Sequence, residues 1–516
     1  MISQTQPFVL PPVNDLVGDG IHFRSARDGR FLLYRGMCFG PVAKFPPFLP
    51  LKNVEDWEMA EPFLDLLLAC GFTTLRLPFS WAAFEPELAI DKPSYDEQYF
   101  EAFFSQISLF EKKGFAIFLD IHQDLVQPAF GGNGFPEWVL EDGSKPRMYF
   151  NNTPWWGLNY VLNKGLRKTF TQFWKNDLTN TSCNPPLNHF PVRDRYLDMV
   201  DRIAERTVHH PGIFGFEVIN EPHPATLDPV WFEEELLNEF YSQAIERIRK
   251  HNNHLFVFLA PQSDWNVNVR RDRNYISRLK MQQPQDDRLV FAFHYYDSLL
   301  TGLHGFYFHE MKRDEYVDAI KRGIVQAQEK GMVPFLTEFG SRQNWLGSVT
   351  KRHMSWQFEA AERAMAHATY WNINLYNTKK ERDGFMKEDF SLIDHEMLPR
   401  NLAIATRPYV MAASAEPVTM VYNDRSLRCD IHLKGKPLDE WTVVYVPCVK
   451  KHQLMPHIYT RGFEVRYNEN GNGAQALFLP EHNQLMIKLD QNSIDHHITI
   501  DQVFTDSSSA VLRYDC

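Results

Sequence analysis

Eight short apolar runs, most of them followed by an amphipathic stretch, organise most of the 516-residue chain. They fall at 31–39, 73–79, 116–121, 214–220, 255–260, 289–294, 334–338 and 369–375. Runs of this length with no polar alternation are how parallel strands covered on both faces read. Between them, segments 53–70, 95–113, 192–209, 231–250, 274–281, 314–330 and 353–366 repeat their apolar residues at three and four positions, the spacing of one helix face. Lys113-Gly114, His210-Pro211-Gly212 and Lys330-Gly331 supply helix stops. Strands and helices alternating in this way predict an α/β chain folded as a (β/α)8 TIM barrel.

After Arg407-Pro408-Tyr409 the period changes. Segments 418–422, 427–433, 441–447, 462–467, 476–479, 484–489, 497–500 and 511–514 are short, alternating, and punctuated by Pro, Gly, Asn and Asp. They predict a small C-terminal antiparallel β-sandwich. The expected division is a barrel domain over 1–410 and a sandwich domain over 411–516. A long aromatic-rich insertion at about 141–192 separates the third strand from its helix, and carries Tyr149, Phe150, Trp155, Trp156, Tyr160, Phe170, Phe173 and Trp174. A βα connection of that length reads as a substrate wall or as a satellite subdomain packing its own aromatics, and the two are compatible.

Barrel enzymes keep their chemistry at the C-terminal ends of the strands. The fourth run leads through Gly215-Phe216-Glu217-Val218-Ile219-Asn220 to Glu221-Pro222, and the seventh reads Val333-Pro334-Phe335-Leu336-Thr337-Glu338-Phe339-Gly340. Each reaches a glutamate at a turn. Two carboxyl groups facing one site are the minimum equipment for cleaving a glycosidic bond, which makes Glu221 and Glu338 the candidate catalytic pair. Asn220 stands where it would bond a sugar 2-hydroxyl. Arg76, inside the second run, needs a buried carboxylate, and Glu338 is its natural partner; such a pair keeps a nucleophile ionised. Asp120-Ile121-His122-Gln123-Asp124 ends the third run with the donors and acceptors a sugar pocket requires, a metal site being the rival reading. His294 and Tyr296 end the sixth run, placed to tune the acid and to hold the nucleophile's oxygen. Trp371 in the eighth offers a floor for a sugar's C–H face. His209-His210 is expected at the opposite end of the barrel.

Taken together, Arg76, His122, Asn220, Glu221, His294, Tyr296, Glu338 and Trp371 resemble the strand-end pattern of glycoside hydrolase family 5. That resemblance implies Glu221 as acid/base and Glu338 as nucleophile. A narrower set looks like the endoglycoceramidase branch, with its glucosylceramidases and steryl glucosidases: Asp28-Gly29-Arg30, Leu33-Tyr34-Arg35-Gly36, Lys44, His122-Gln123-Asp124, the Gly131–Trp138 stretch, and Asp383 to Ser391 before Arg407-Pro408-Tyr409. By analogy Lys44, Asp124 and Trp371 would touch the first sugar. The chain departs from that branch in lacking a secretory leader pattern and in carrying Phe385-Met386 where relatives often have Trp-Asn.

The bulk numbers exclude other classes. A net charge of −11 with no long basic run disfavours nucleic acid and anionic membranes as first partners. No apolar run reaches the length of about 18 residues that spans a bilayer, so the expectation is a cytoplasmic protein in at most peripheral, transient contact with membranes. Six scattered cysteines without a CxxC pair predict reduced thiols. Apolar loops at 45–51, 298–300 and 305–308 would suit a lipid. The reading is a retaining β-glycosidase that needs no cofactor or metal and cuts between a sugar, glucose first, and a lipid aglycone such as that of glucosylceramide or a steryl glucoside. The alternatives are a β-glucosidase or glucanase for soluble glycosides and a catalytically silent carbohydrate-binding protein.

Overall fold

The computed structural model describes residues 6–153, 155–272, 274–280, 286–297, 312–343, 347–448, 462–468, 475–502 and 512–515. Eight parallel strands close a barrel in chain order: β1 (Arg35–Phe39), β2 (Thr74–Phe79), β3 (Ala116–Ile121), β4 (Ile213–Glu217), β5 (Phe256–Leu259), β6 (Leu289–Tyr295), β7 (Val333–Phe339) and β8 (His367–Ile373). β8 pairs with β1 and completes the ring. Every residue of these strands is buried, which is why they read as unbroken apolar runs.

The helices between them bury one face each. Helix Glu97–Lys112 buries Phe100, Phe103, Phe104, Ile107 and Phe110, each contributing about 1.5–3 kcal/mol when fully covered. Its start is fixed by Asp96, whose carboxylate accepts from the Tyr99 backbone N–H at 2.9 Å. Helices Asp56–Ala69, Val192–Thr207, Asn238–His251, Arg313–Glu329 and Gly347–Arg363 complete most of the outer ring.

Two antiparallel sheets form the sandwich. One has seven strands, in the order Leu16–Gly18, Phe23–Ser25, Phe31–Leu32, Tyr409–Ala413, Trp441–Tyr445, Gln484–Lys488 and Gln475–Leu479. The other orders Glu416–Asn423, Arg428–Lys434, Asp495–Asp501, Gly462–Tyr467 and Leu512–Asp515. The seven-stranded sheet therefore takes strands from both sides of residue 410. We propose that the N-terminal strands belong with the sandwich unit and that the boundary near 410 holds only along the later chain. Phe23 shows why: its ring meets Phe214, Phe256, Phe335 and His367 edge-on at 4.8–6.4 Å, so the N-terminal strand seals the floor of the barrel. The sandwich core and that floor form one apolar cluster. Glu362, fully buried, receives Arg35 of β1 at 3.3 Å and Arg407 at 2.9 Å, an ionic tie between barrel and sandwich.

Three expectations change. The run at 31–39 is two strands, one in each sheet system, because the chain changes layers at Leu33-Tyr34. Gly36 permits the close pairing of β1 with β2, since a Cβ there would stand 2.0 Å from the Thr74 carbonyl oxygen. Residues 274–280 are not helical, and the helix lies earlier, at Trp265–Arg271. Glu233 explains the irregular stretch by accepting from the Ser277 hydroxyl at 2.8 Å and the Arg278 N–H at 2.7 Å, bonds that replace a helix's own. Cys448 is disulfide-bonded, against the expectation of reduced thiols throughout; Cys38, Cys70, Cys183 and Cys429 are free. The loops at 298–300 and 305–308 lie outside the described residues. Loop 45–51 packs Phe45, Phe48 and Leu49 against the main core. No helix among the described residues is long and apolar enough to cross a membrane.

Candidate active site

Arg76 organises the site. It is completely buried in β2 and its guanidinium is fully used: Nε donates to Glu217 Oε2 at 2.8 Å, Nη1 to Glu338 Oε1, and Nη2 to Asn220 Oδ1 at 3.0 Å, with Asp120 Oδ2 3.1 Å from Nη2. The expected Arg76–Glu338 pair is present, but it is one part of a larger cluster. Asp120 and Glu217 sit side by side, in register on β3 and β4. Adjacent buried carboxylates need an opposite charge to offset their desolvation and repulsion, and the fork of Arg76 reaches Asp120, Glu217 and Glu338 together.

Glu338, near the end of β7, has both oxygens engaged. One takes Arg76 and the other accepts from the Tyr296 hydroxyl at 2.8 Å. Burial pushes its pKa up, but the charges of His294 and Arg76 outweigh that and bring it down to about 2. His294 stands among three acids: Nδ1 is 2.8 Å from Glu221 Oε1 and 3.6 Å from Glu338 Oε2, and Nε2 is 3.7 Å from Glu217 Oε1. Desolvation lowers its pKa, yet Glu338, Glu217 and Glu221 raise it to about 10, so it is an imidazolium at neutral pH.

Glu221 lies four residues beyond β4 on a turn whose backbone is left-handed at the glutamate itself, φ 43°. A non-glycine residue there stores strain, and such strain clusters at functional positions. Gln123 holds the turn: its side-chain amide donates to the carbonyls of Asn220 and Glu221 at 3.0 and 3.1 Å, while Asn220 Nδ2 donates back to the Gln123 carbonyl at 3.1 Å. One carboxylate oxygen of Glu221, one of Glu338 and a ring nitrogen of His294 all lie within 4.8 Å of one another.

The opposite wall is built on β1 and β3. His122 bridges Asp120 at 2.7 Å and Asp124 at 3.3 Å through its two ring nitrogens. Burial opposes its charge, but these two acids raise its pKa to about 9. Its ring stacks on Trp371 at 5.5 Å. Lys44, buried at the turn after β1, pairs with Asp124 at 3.0 Å and lies 4.9 Å from the Trp371 ring centre. Lys44, His122, Asp124, Asn220, Glu221, Tyr296, Glu338 and Trp371 all line one cavity of about 180 Å³. Arg76 and His294 stand behind them in the hydrogen-bonded layer. All ten residues singled out from sequence thus converge at one mouth, and His210 lies at the other end of the barrel, bonded to Glu111 at 2.8 Å.

Donor atoms suited to a metal also occur here, in the sets Asp120–His122–Glu338 and Glu221–His294–Glu338. Both share Glu338, whose oxygens already take Arg76 and Tyr296, and the guanidinium supplies the positive charge that the acids require.

Sequence reading missed several contributors. Glu217 and Asp120 were not assigned to Arg76, although charge balance among fully buried strands signals them. Gln123 reads in the sequence as one more polar group at the end of the third run. Trp156, Asn266, Glu388 and Phe390 also line the cavity. Within the insertion, Phe170, Phe173 and Trp174 are buried and pack on Phe135, Tyr196 and Phe240, whereas Trp156 lines the cavity.

The family model for cellulase, glycosyl hydrolase family 5, matches residues 51–377, more than half of the chain. Endoglycoceramidase I of Rhodococcus hoagii is 29% identical over 261 residues, covering 49% of this chain and 48% of that protein. This chain spans about half the length, or less, of the curated relatives it matches. Among solved structures, endo-glycoceramidase II from Rhodococcus sp. superposes with a TM-score of 0.68 at 20% identity, covering 96% of this chain and 99% of that one. Sterylglucosidase 1 of Cryptococcus neoformans superposes with a TM-score of 0.75 at 14% identity, with the same coverage. These two establish the architecture, a (β/α)8 barrel with a β-sandwich. With the matched segment running from just after β1 into the turn beyond β8, the chain belongs to glycosyl hydrolase family 5.

Proposed function

We infer that the chain is a retaining β-glycosidase acting on a β-linked sugar carried by a lipid aglycone. One observation carries the reaction class: oxygens of Glu221 and Glu338 approach within 4.8 Å. Retaining enzymes hold their carboxyls about 5–5.5 Å apart, while inverting enzymes leave about 6.5–9.5 Å for a water. The environments divide the roles. Glu338, held ionised by Arg76, His294 and Tyr296, attacks the anomeric carbon. The bond to the leaving oxygen breaks as Glu221 gives that oxygen a proton. Water then adds to the anomeric carbon, its proton goes to Glu221, and Glu338 is released as carboxylate. Asn220, Lys44, Asp124, His122 and Trp371 orient the sugar, and the protein's own groups complete each step.

The lipid part of the reading is supported by the names of relatives: endoglycoceramidase, glucosylceramidase and ergosteryl-beta-glucosidase. Such substrates reside in bilayers, so the reading includes transient contact with a membrane surface. Turnover of glucosylceramide and a steryl glucoside in detergent micelles is expected to exceed that of cellobiose at equal concentration. Faster cleavage of cellobiose would favour the soluble-glycoside alternative. Proton NMR of the first product formed should show the β anomer before mutarotation; an α anomer would remove the double displacement.

A further inference from the structure

The loop after β8 is more heavily built than a connection requires. Asp383, buried, accepts from the backbone of Phe390 at 2.6 Å and from the side chains of Asn372 and Asn377 at 3.3 and 3.1 Å. Asp389, also buried, pairs with Arg382 and Arg400. Between these anchors Met386 and Lys387 are both left-handed, φ 46° and 55°, a conformation that non-glycine residues avoid. The bent segment delivers Glu388 to the cavity wall. There Trp156, from the insertion after β3, donates its indole N–H to Glu388 Oε1 at 3.0 Å and meets Phe385 edge-on at 5.1 Å. The Asn152 backbone N–H reaches Met386 Sδ at 3.4 Å. Lys44 lies 4.5 Å from the Phe385 ring centre. Two loops from separate strands are latched together on this wall.

The latch has a direction. Lys44, Asp124, Trp156 and Glu388 form one connected side of the cavity. Glu221, the proposed proton donor to the leaving group, belongs to the other side, where a smaller cavity continues past Asn266 and Tyr296. The aglycone leaves toward Glu221, which puts the latch on the sugar side. Sites that enclose larger organic ligands measure about 300–1,000 Å³; the roughly 180 Å³ here is room for one pyranose ring.

We propose that the Trp156–Glu388 latch closes the sugar side of the site after a single residue, so that the enzyme removes one unsubstituted hexose at a time. Glu388 and the Lys44–Asp124 pair recognise the hydroxyls farthest from the scissile bond. This rests on the glycosidase reading but not on the lipid aglycone.

The test uses 4-methylumbelliferyl β-glucoside and β-lactoside, which carry no lipid. The full chain should hydrolyse the glucoside with kcat/KM about 100-fold or more above the lactoside, the scale on which a closed pocket rejects an extra group. Trp156→Ala should raise kcat/KM on the lactoside at least about 10-fold and lower it on the glucoside. Glu388→Gln, which keeps the oxygen that accepts from Trp156 but loses the charge that meets the sugar hydroxyls, should lower kcat/KM on the glucoside while the lactoside stays rejected, and its thermal midpoint reports whether it folds. A 2-deoxy-2-fluoro-glucosyl label should add the mass of one 2-deoxy-2-fluorohexosyl group to Glu338. Release of intact lactose at a rate matching the glucoside overturns the proposal. Hydrolysis of neither overturns it together with the glycosidase reading. Hydrolysis of the glucoside alone, with no release from glycolipids, supports the latch and overturns the lipid assignment.

Discussion

Replacing Glu338 by glutamine is expected to lower kcat/KM by about 10⁴-fold or more, the scale on which loss of a catalytic nucleophile acts, while the protein stays folded. The amide is isosteric and can still accept from Tyr296, and Arg76 keeps Glu217 and Asp120 as partners. What disappears is the negative charge that attacks carbon. Loss of that charge also removes a principal cause of the raised His294 pKa, so the imidazole should titrate at lower pH, visible in its NMR ring shifts. A melting curve within a few degrees of wild type would separate chemistry from folding. The smaller variant Glu338→Gly gives a sharper readout. With added azide, the vacated space admits an external nucleophile on the same face, Glu221 still protonates the leaving oxygen, and the product should be the α-glycosyl azide. Full activity in Glu338→Gln, or a β-azide, would remove Glu338 from its role.

The barrel was legible because each of its strands is buried on both faces, and burial on both faces leaves an unbroken apolar run in the sequence. Legibility failed where backbone partners came from elsewhere. The split of 31–39 depends on which sheet each half joins, and one partner of the first half, Tyr409–Ala413, lies more than 370 residues away in the chain. Residues 274–280 lose their helix to the Glu233 side chain, a contact with no local signature. The site divides the same way. Residues at strand ends were readable because the barrel assigns them one mouth. Trp156 and Glu388 sit on long loops, and only the fold brings the two together. Their meeting leaves no mark in the sequence, where one segment stands out for its aromatics and the other for its motif. Arg76 lies between these cases: one carboxylate partner was predictable, but the number of acids it serves follows from the adjacency of β2, β3 and β4 in the ring and from the reach of Arg76 across the barrel to Glu338 of β7.

Arg76 is therefore the position where stability and chemistry are most tightly joined, and its substitution should affect both. In Arg76→Met, the acids Asp120, Glu217 and Glu338 lose their shared cation while remaining buried. Removing one partner from a buried ionic cluster costs about 3–5 kcal/mol, enough to bring a domain of ordinary stability close to unfolding. Arg76→Lys keeps the charge but cannot fork to three carboxylates, so it should fold with a lowered melting temperature and lose activity by about 10²-fold, a loss typical of a misplaced reacting group. Its pH profile carries the mechanistic information. The pKa of Glu338, about 2 in the native site, lies below the ordinary glutamate value of about 4.3. The stabilisation from its charge is present above that ordinary value and is lost as pH falls through about 2. Weakening the Arg76 contact raises the folded-state value, so the carboxylate protonates earlier and the acidic limb of kcat/KM moves to higher pH. His294 works from the other side: its pKa of about 10 means that its stabilisation is complete below about 6.5 and is lost as pH rises through 10. In Arg76→Lys the acidic limb should shift to higher pH, while the stabilisation from His294, complete below about 6.5, is still present at neutrality. An acidic limb that stays in place in the folded variant would show that His294 and Tyr296 alone keep the nucleophile charged, leaving Arg76 to hold Asp120 and Glu217 together.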